Sequence, residues 1–122
     1  MRVRLSGALA ATAVAAIVGS SCAGRIAPAA PVATPAGVRF VLMQPAARSV
    51  ALAGSFNQWS ATSQPLAREG SRGLWTIVVP LPPGEHLFMY VVDGKQWISP
   101  ALAEDYVDDG FGAKNGVVVV RP

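Results

Sequence analysis

Cysteine and histidine are all but absent from this chain, with one of each in 122 residues. A lone Cys22 has no partner for an internal disulfide. His86 opens a strand with no cysteine to pair with it, and in that position it reads as a surface residue rather than a catalytic one. No serine lies in a nucleophile-elbow pattern, so the usual hydrolase signature is missing as well. No stretch after residue 37 keeps a 3.6-residue apolar period, which excludes a helical domain. Beyond the N-terminus no run is long and apolar enough to span a bilayer, which needs about 20 residues. Charged residues make up only 14% of the chain. From Cys22 onward eight basic residues stand against seven acidic ones, so the pI near 9.6 owes much to Arg2 and Arg4. Charge therefore gives no case for nucleic acid or an anionic surface as partner.

What is present begins with an export signal over residues 1–21. Arg2 and Arg4 precede the uncharged stretch from Leu5 to Val18, and the small-residue cluster "GSSCAG" follows. The stretch "VGSSC" resembles the lipobox of bacterial lipoproteins, in which small residues precede a cysteine that becomes the lipidated N-terminus. That resemblance implies lipidation of Cys22 and an envelope location, with the membrane contacted only through the lipid. It departs from the pattern at Gly19, where the family prefers Leu. The alternative is ordinary signal cleavage after "SCA", which discards Cys22. Residues 22–37 are rich in Ala and Pro, and Pro28, Pro31 and Pro35 predict an extended tether outside helix or sheet.

From residue 38 the texture changes to short strands separated by turn chemistry, and an all-β sandwich of immunoglobulin-like architecture is expected over 38–122. "VRFVLM" sets Val38, Phe40 and Leu42 on one face, and "RSVALAG" follows. "LWTIVVPL" sets Trp75, Ile77 and Val79 inward. "HLFMYVV" carries Phe88, Tyr90 and Val92 on one side and Leu87, Met89 and Val91 on the other. It ends at Asp93-Gly94, a strong hairpin signal, and "GVVVV" closes the domain. Six or seven strands are predicted. The acidic run "AEDYVDDGFG" lacks the spacing of a calcium loop and reads as a solvated turn, so no metal or cofactor is expected.

Aromatic and amide chemistry in the loops remains. Trp59 in "GSFNQWS" and Trp97 both fall just beyond strand ends, unlike Trp75. A flat indole beside amides such as Asn57, Gln58, Gln96 or Asn115, or beside Lys95, suits a sugar, whose CH faces are apolar and whose hydroxyls point outward. Each stacked ring removes roughly 60 to 80 Å² of apolar surface from water, worth about 1.5 to 2 kcal/mol. Two platforms, less association costs, predict dissociation constants of about 10 μM to 1 mM.

The order "VALAGSFNQWS", then "LWTIVVPLPPGEHLFMYVVDGKQW", then "DDGFGAKNGVVVV" resembles the family 48 carbohydrate-binding modules. Closest in pattern is the glycogen-binding domain of the AMP-activated protein kinase β subunit and its bacterial relatives. The resemblance implies non-catalytic recognition of α-1,4-linked glucans. It assigns stacking to Trp59 and Trp97, a hydrogen-bonding amide to Asn115 and a sugar contact to Phe111. Met89 stands where binding members carry a Lys, with Lys95 a substitute from the turn, and Ala113 stands where they carry a Thr. In some enzymes of the family the module binds no sugar, so a sandwich serving protein contact or envelope scaffolding is the alternative reading.

Overall fold

Alternating apolar residues build two antiparallel sheets in the structure, a computed structural model that describes residues 28–122. The leader, Cys22 and the first part of the tether lie outside the described residues. In chain order the strands are β1 (Val32–Thr34), β2 (Gly37–Met43), β3 (Val50–Gly54), β4 (Ala67–Glu69), β5 (Leu74–Val79), β6 (Gly84–Val92), β7 (Gln96–Ile98), β8 (Asp105–Asp108) and β9 (Lys114–Val120). One sheet has the order β1-β2-β5-β4. The other has the order β3-β6-β9-β8, with β7 also paired to β6. Among the described residues there is no helix, and the architecture is an immunoglobulin-like β-sandwich.

The core lies between the sheets. Val38 and Phe40 of β2 and Trp75 and Val79 of β5 meet Leu52 of β3, Phe88 and Tyr90 of β6 and Val118 of β9. Phe88 sits edge-on to both Phe40 (5.0 Å between centroids) and Tyr90 (5.8 Å), the arrangement that ring quadrupoles favour. The Tyr90 hydroxyl crosses from sheet to sheet and donates to the Val41 carbonyl at 3.1 Å. Burial raises its pKa well above the ordinary tyrosine value, against a smaller lowering by that hydrogen bond. Trp75 is a core residue as expected: it is buried, its indole N–H donates to the Gln44 carbonyl at 3.0 Å, and the Arg68 guanidinium lies 4.8 Å from its ring centroid.

Asp93 and Gly94 form the expected hairpin turn between β6 and β7, both at positive φ (54° and 70°). The Asp93 carboxylate also accepts the backbone N–H groups of Arg48 (2.7 Å) and Ser49 (3.0 Å), which ties the turn to the start of β3. Those two N–H groups favour the ionised form and hold its pKa below the usual carboxylate range.

Three strands correct the sequence reading. β1 falls inside the stretch read as an unpaired tether, and it pairs Val32 with Arg39 and Thr34 with Gly37. Pro31 and Pro35 flank it, so neither removes a donor from the ladder, and at a sheet edge such neighbours are tolerated. The sandwich thus begins at Val32, six residues before Val38. β8 falls in the acidic run read as a turn: Asp105–Asp108 pairs with β9, a charged edge strand of the kind that discourages further pairing. β4 pairs Arg68 opposite Trp75, in a stretch with no apolar alternation.

Candidate functional site

The outer face of the second sheet is floored by the outward residues of β6. Because side chains alternate along a strand, Phe88, Tyr90 and Val92 enter the core while Leu87, Met89 and Val91 take the opposite face. Beside them β3 contributes only the small Ala51 and Ala53, which leaves a shallow trough. Trp59 packs on Ala51, Ala53 and Val91 and fills part of it.

The turn after β3 holds Trp59 in place through Asn57. The Asn57 carbonyl oxygen accepts the N–H of Gly54 (3.0 Å) and of Ser60 (3.3 Å). Its amide nitrogen donates to the Leu52 carbonyl (2.9 Å) and to Gln64 (2.7 Å). Gly54 is required by close approach: a Cβ there would run into the Phe56 ring and the Leu87 carbonyl. Gln58 and Trp59 then take left-handed conformations in succession (φ 57° and 56°), an uncommon pair for residues with a Cβ. The Trp59 N–H donates back to the Gly54 carbonyl at 2.9 Å.

Trp97 stands opposite Val91 across the β6–β7 ladder, so its indole rises from the same face, and it is 44% exposed. Asn115 lies on β9 opposite Val107 and is 9% exposed. Among the described residues its side-chain amide has no hydrogen-bond partner, although its atoms are not sealed from solvent. The loop between β8 and β9 closes the far side. Asp109 accepts the N–H of Phe111 (2.6 Å) and of Ala113 (3.1 Å), and its own N–H donates to the Ala113 carbonyl at 3.0 Å. Gly110 and Gly112 supply the positive φ values (84° and 95°) that turn the chain on either side of Phe111. The Phe111 ring is left 93% exposed at the tip.

These side chains enclose a cleft of about 530 Å³, within the ordinary span of small-ligand sites. Trp59, Trp97, Asn115, Phe111 and Met89 all line it, so the structure brings together five of the six expected site residues. Lys95 is not among them. It points to a separate hollow with Arg48, Ser49 and Asp93, because the tight turn carries it past the end of the sheet. Asn57, read as a possible sugar-edge amide, is fully engaged in its own loop, and Gln58 and Gln96 do not line the cleft. The sequence reading missed Leu87 and Asp109 as lining residues. The signal for Leu87 was its place two residues before Met89, on the same face. Asp109 had none, since it sits in a run of acids where only the fold separates one from another.

Chemically the cleft offers two indoles, a phenyl ring, aliphatic walls and one unengaged amide. Among the described residues Asp109 is the one ionisable residue that lines it, and no nucleophile and base converge there. Nor does any group of three His, Cys, Asp or Glu side chains among the described residues have metal-binding geometry. Comparison with known proteins adds an independent line. Residues 38–122 match the family described as the glycogen recognition site of AMP-activated protein kinase. The 1,4-alpha-glucan branching enzyme GlgB of Bacillus caldolyticus is 46% identical over 56 residues, 46% of this chain and 8% of that protein. The corresponding enzyme of Nitrosospira multiformis is 35% identical over 87 residues, 71% of this chain and 12% of its own length. That of Pseudomonas syringae pv. syringae is 40% identical over 69 residues, 56% and 9% respectively. The chain thus spans about a tenth of the length of these curated relatives.

Proposed function

The chain belongs to the family of the glycogen recognition site of AMP-activated protein kinase, and from that premise we propose that its outer-face cleft binds α-1,4-linked glucan chains without transforming them. The observation that carries this reading is the convergence of Trp59, Trp97 and the unpartnered Asn115 amide on one open trough. Stacked pyranose rings lie against the indoles while Asn115 meets their hydroxyls. Phe111, at the loop tip, is free to cover a ring from the opposite side. The branching activity named for the relatives belongs to proteins about ten times as long as the matched segment. For this chain the module is read as the part that holds the glucan.

Affinity electrophoresis of the full chain in gels with and without glycogen tests the proposal. Glycogen is expected to retard the wild-type chain. Trp97→Ala is expected to weaken binding about 10- to 30-fold, the loss of one stacked ring worth about 1.5 to 2 kcal/mol. Its thermal midpoint should barely move, since the indole is 44% exposed. Trp59→Ala should weaken binding as well, with some loss of stability because the ring also covers Ala51 and Ala53. Absence of retardation for the wild type would favour the scaffold reading instead.

The proposal extends to location: the basic and apolar leader supports export, and "VGSSC" supports lipid attachment at Cys22. Mass analysis of the mature N-terminus in a bacterial host distinguishes a lipidated Cys22 from cleavage after Ala23.

A further inference from the structure

The walls of the cleft are apolar and its electrostatics are one-sided. Trp59, Met89, Trp97 and Phe111 form most of the lining, and among the described residues no Lys, Arg or His lines it. One carboxylate does. Asp109 uses a single oxygen, Oδ1, to accept the N–H groups of Phe111 and Ala113, and Oδ2 is engaged by no partner among the described residues. Among the described residues no ion pair to Asp109 is formed: Lys114 pairs with Asp108 at 3.7 Å and Arg121 with Glu104 at 3.6 Å. Lys95 faces the separate hollow beside Asp93.

A lone carboxylate beside an apolar wall can only accept hydrogen bonds, and its charge acts on a neighbouring group most strongly at low salt. A ligand beside it must bring a donor. A sugar hydroxyl does so, whereas an ionised phosphate or carboxylate brings acceptors and like charge.

Resting on the glucan reading above, we propose that this cleft selects unsubstituted, neutral glucan and turns away glucan bearing phosphate or carboxylate groups. Asp109 is the residue that sets the preference. The neutral chain donates a hydroxyl to Oδ2 while its ring faces lie on the indoles. An anionic substituent in the same place meets repulsion with no cation to relieve it.

The test compares binding of maltoheptaose and of 6-phosphorylated maltoheptaose to the full chain by calorimetry, in low and in high salt. At about 20 mM ionic strength the neutral ligand is expected to bind about tenfold more tightly, and at about 0.5 M the ratio should shrink to about two- to threefold. Asp109→Asn retains an oxygen for the two N–H groups and should bring the low-salt ratio to about twofold or less. If the variant does not fold, the salt series on the wild-type chain decides the matter alone. Equal affinities at low salt overturn the inference while leaving the glucan reading intact. So does a ratio that neither salt nor the substitution alters, because the discrimination is then one of shape. Binding of neither ligand removes the glucan reading itself, and the selectivity with it.

Discussion

Asn57 shows how a residue that looks available for ligand can be fully occupied by its own loop. Its side chain makes four hydrogen bonds between Leu52 and Gln64, and these hold the turn that presents Trp59. Replacing Asn57 with Ala should lower unfolding stability by about 2 to 4 kcal/mol in urea titration, since several part-buried backbone groups lose partners together. Binding should fall too, because Trp59 loses its seat. This outcome separates Asn57 from Trp97, whose truncation should affect binding alone. The sequence "SFNQW" showed Asn57 and Trp59 side by side but did not say which faced a ligand. Both residue types suit either role, and the decision rests on carbonyls as far away as Leu52 and on an amide seven positions along. For Trp97, position after the Asp93-Gly94 turn was signal enough, because a tight hairpin loop, here the three residues Asp93 to Lys95, fixes which face the returning strand presents.

At the scale of elements, legibility followed apolar patterning. β2, β5, β6 and β9 alternate or run apolar because they bury side chains against the opposite sheet, and each lies close to where the pattern puts it. The three strands that were missed are short edge or near-edge segments with exposed side chains: β4 and β8 are exposed throughout, and β1 nearly so. Such strands are held by backbone ladder bonds to a well-patterned neighbour and by side-chain contacts such as Thr76 with Glu69 at 3.1 Å. No hydrophobic face marks them, so no period could reveal them. The same limit hid half of the cleft's far wall, because the loop carrying Asp109 and Phe111 is aimed by β8. The position of Lys95 was lost for a related reason. A turn residue's direction depends on the left-handed pair before it, which the sequence names but does not orient.

Across the whole molecule the two sheets are joined by packing and by the hydrogen bond from Tyr90 to Val41. Burial keeps the Tyr90 phenol protonated well past the ordinary tyrosine range, so the folded chain retains a proton that the unfolded chain gives up near pH 10. Stability contributed by this residue is therefore complete below that pH and falls as pH rises above it. Thermal melts of the wild type should show a steeper decline between about pH 9 and 11 than those of Tyr90→Phe. At neutral pH the variant should be less stable by about 1 kcal/mol, the value of one lost hydrogen bond. β6 carries a further consequence, because its two sides are both greasy: Phe88, Tyr90 and Val92 one way, Leu87, Met89 and Val91 the other. Sliding that strand by a single position would exchange the two sets at little hydrophobic penalty, so hydrophobicity alone does not choose the alignment. The choice falls to a few punctual locks, namely the phenol that must find Val41, the bare Cα at Gly54 and the clasp of Asp93 on Arg48 and Ser49. A chain that loosened them would trade the floor of its cleft for its interior without any change in composition.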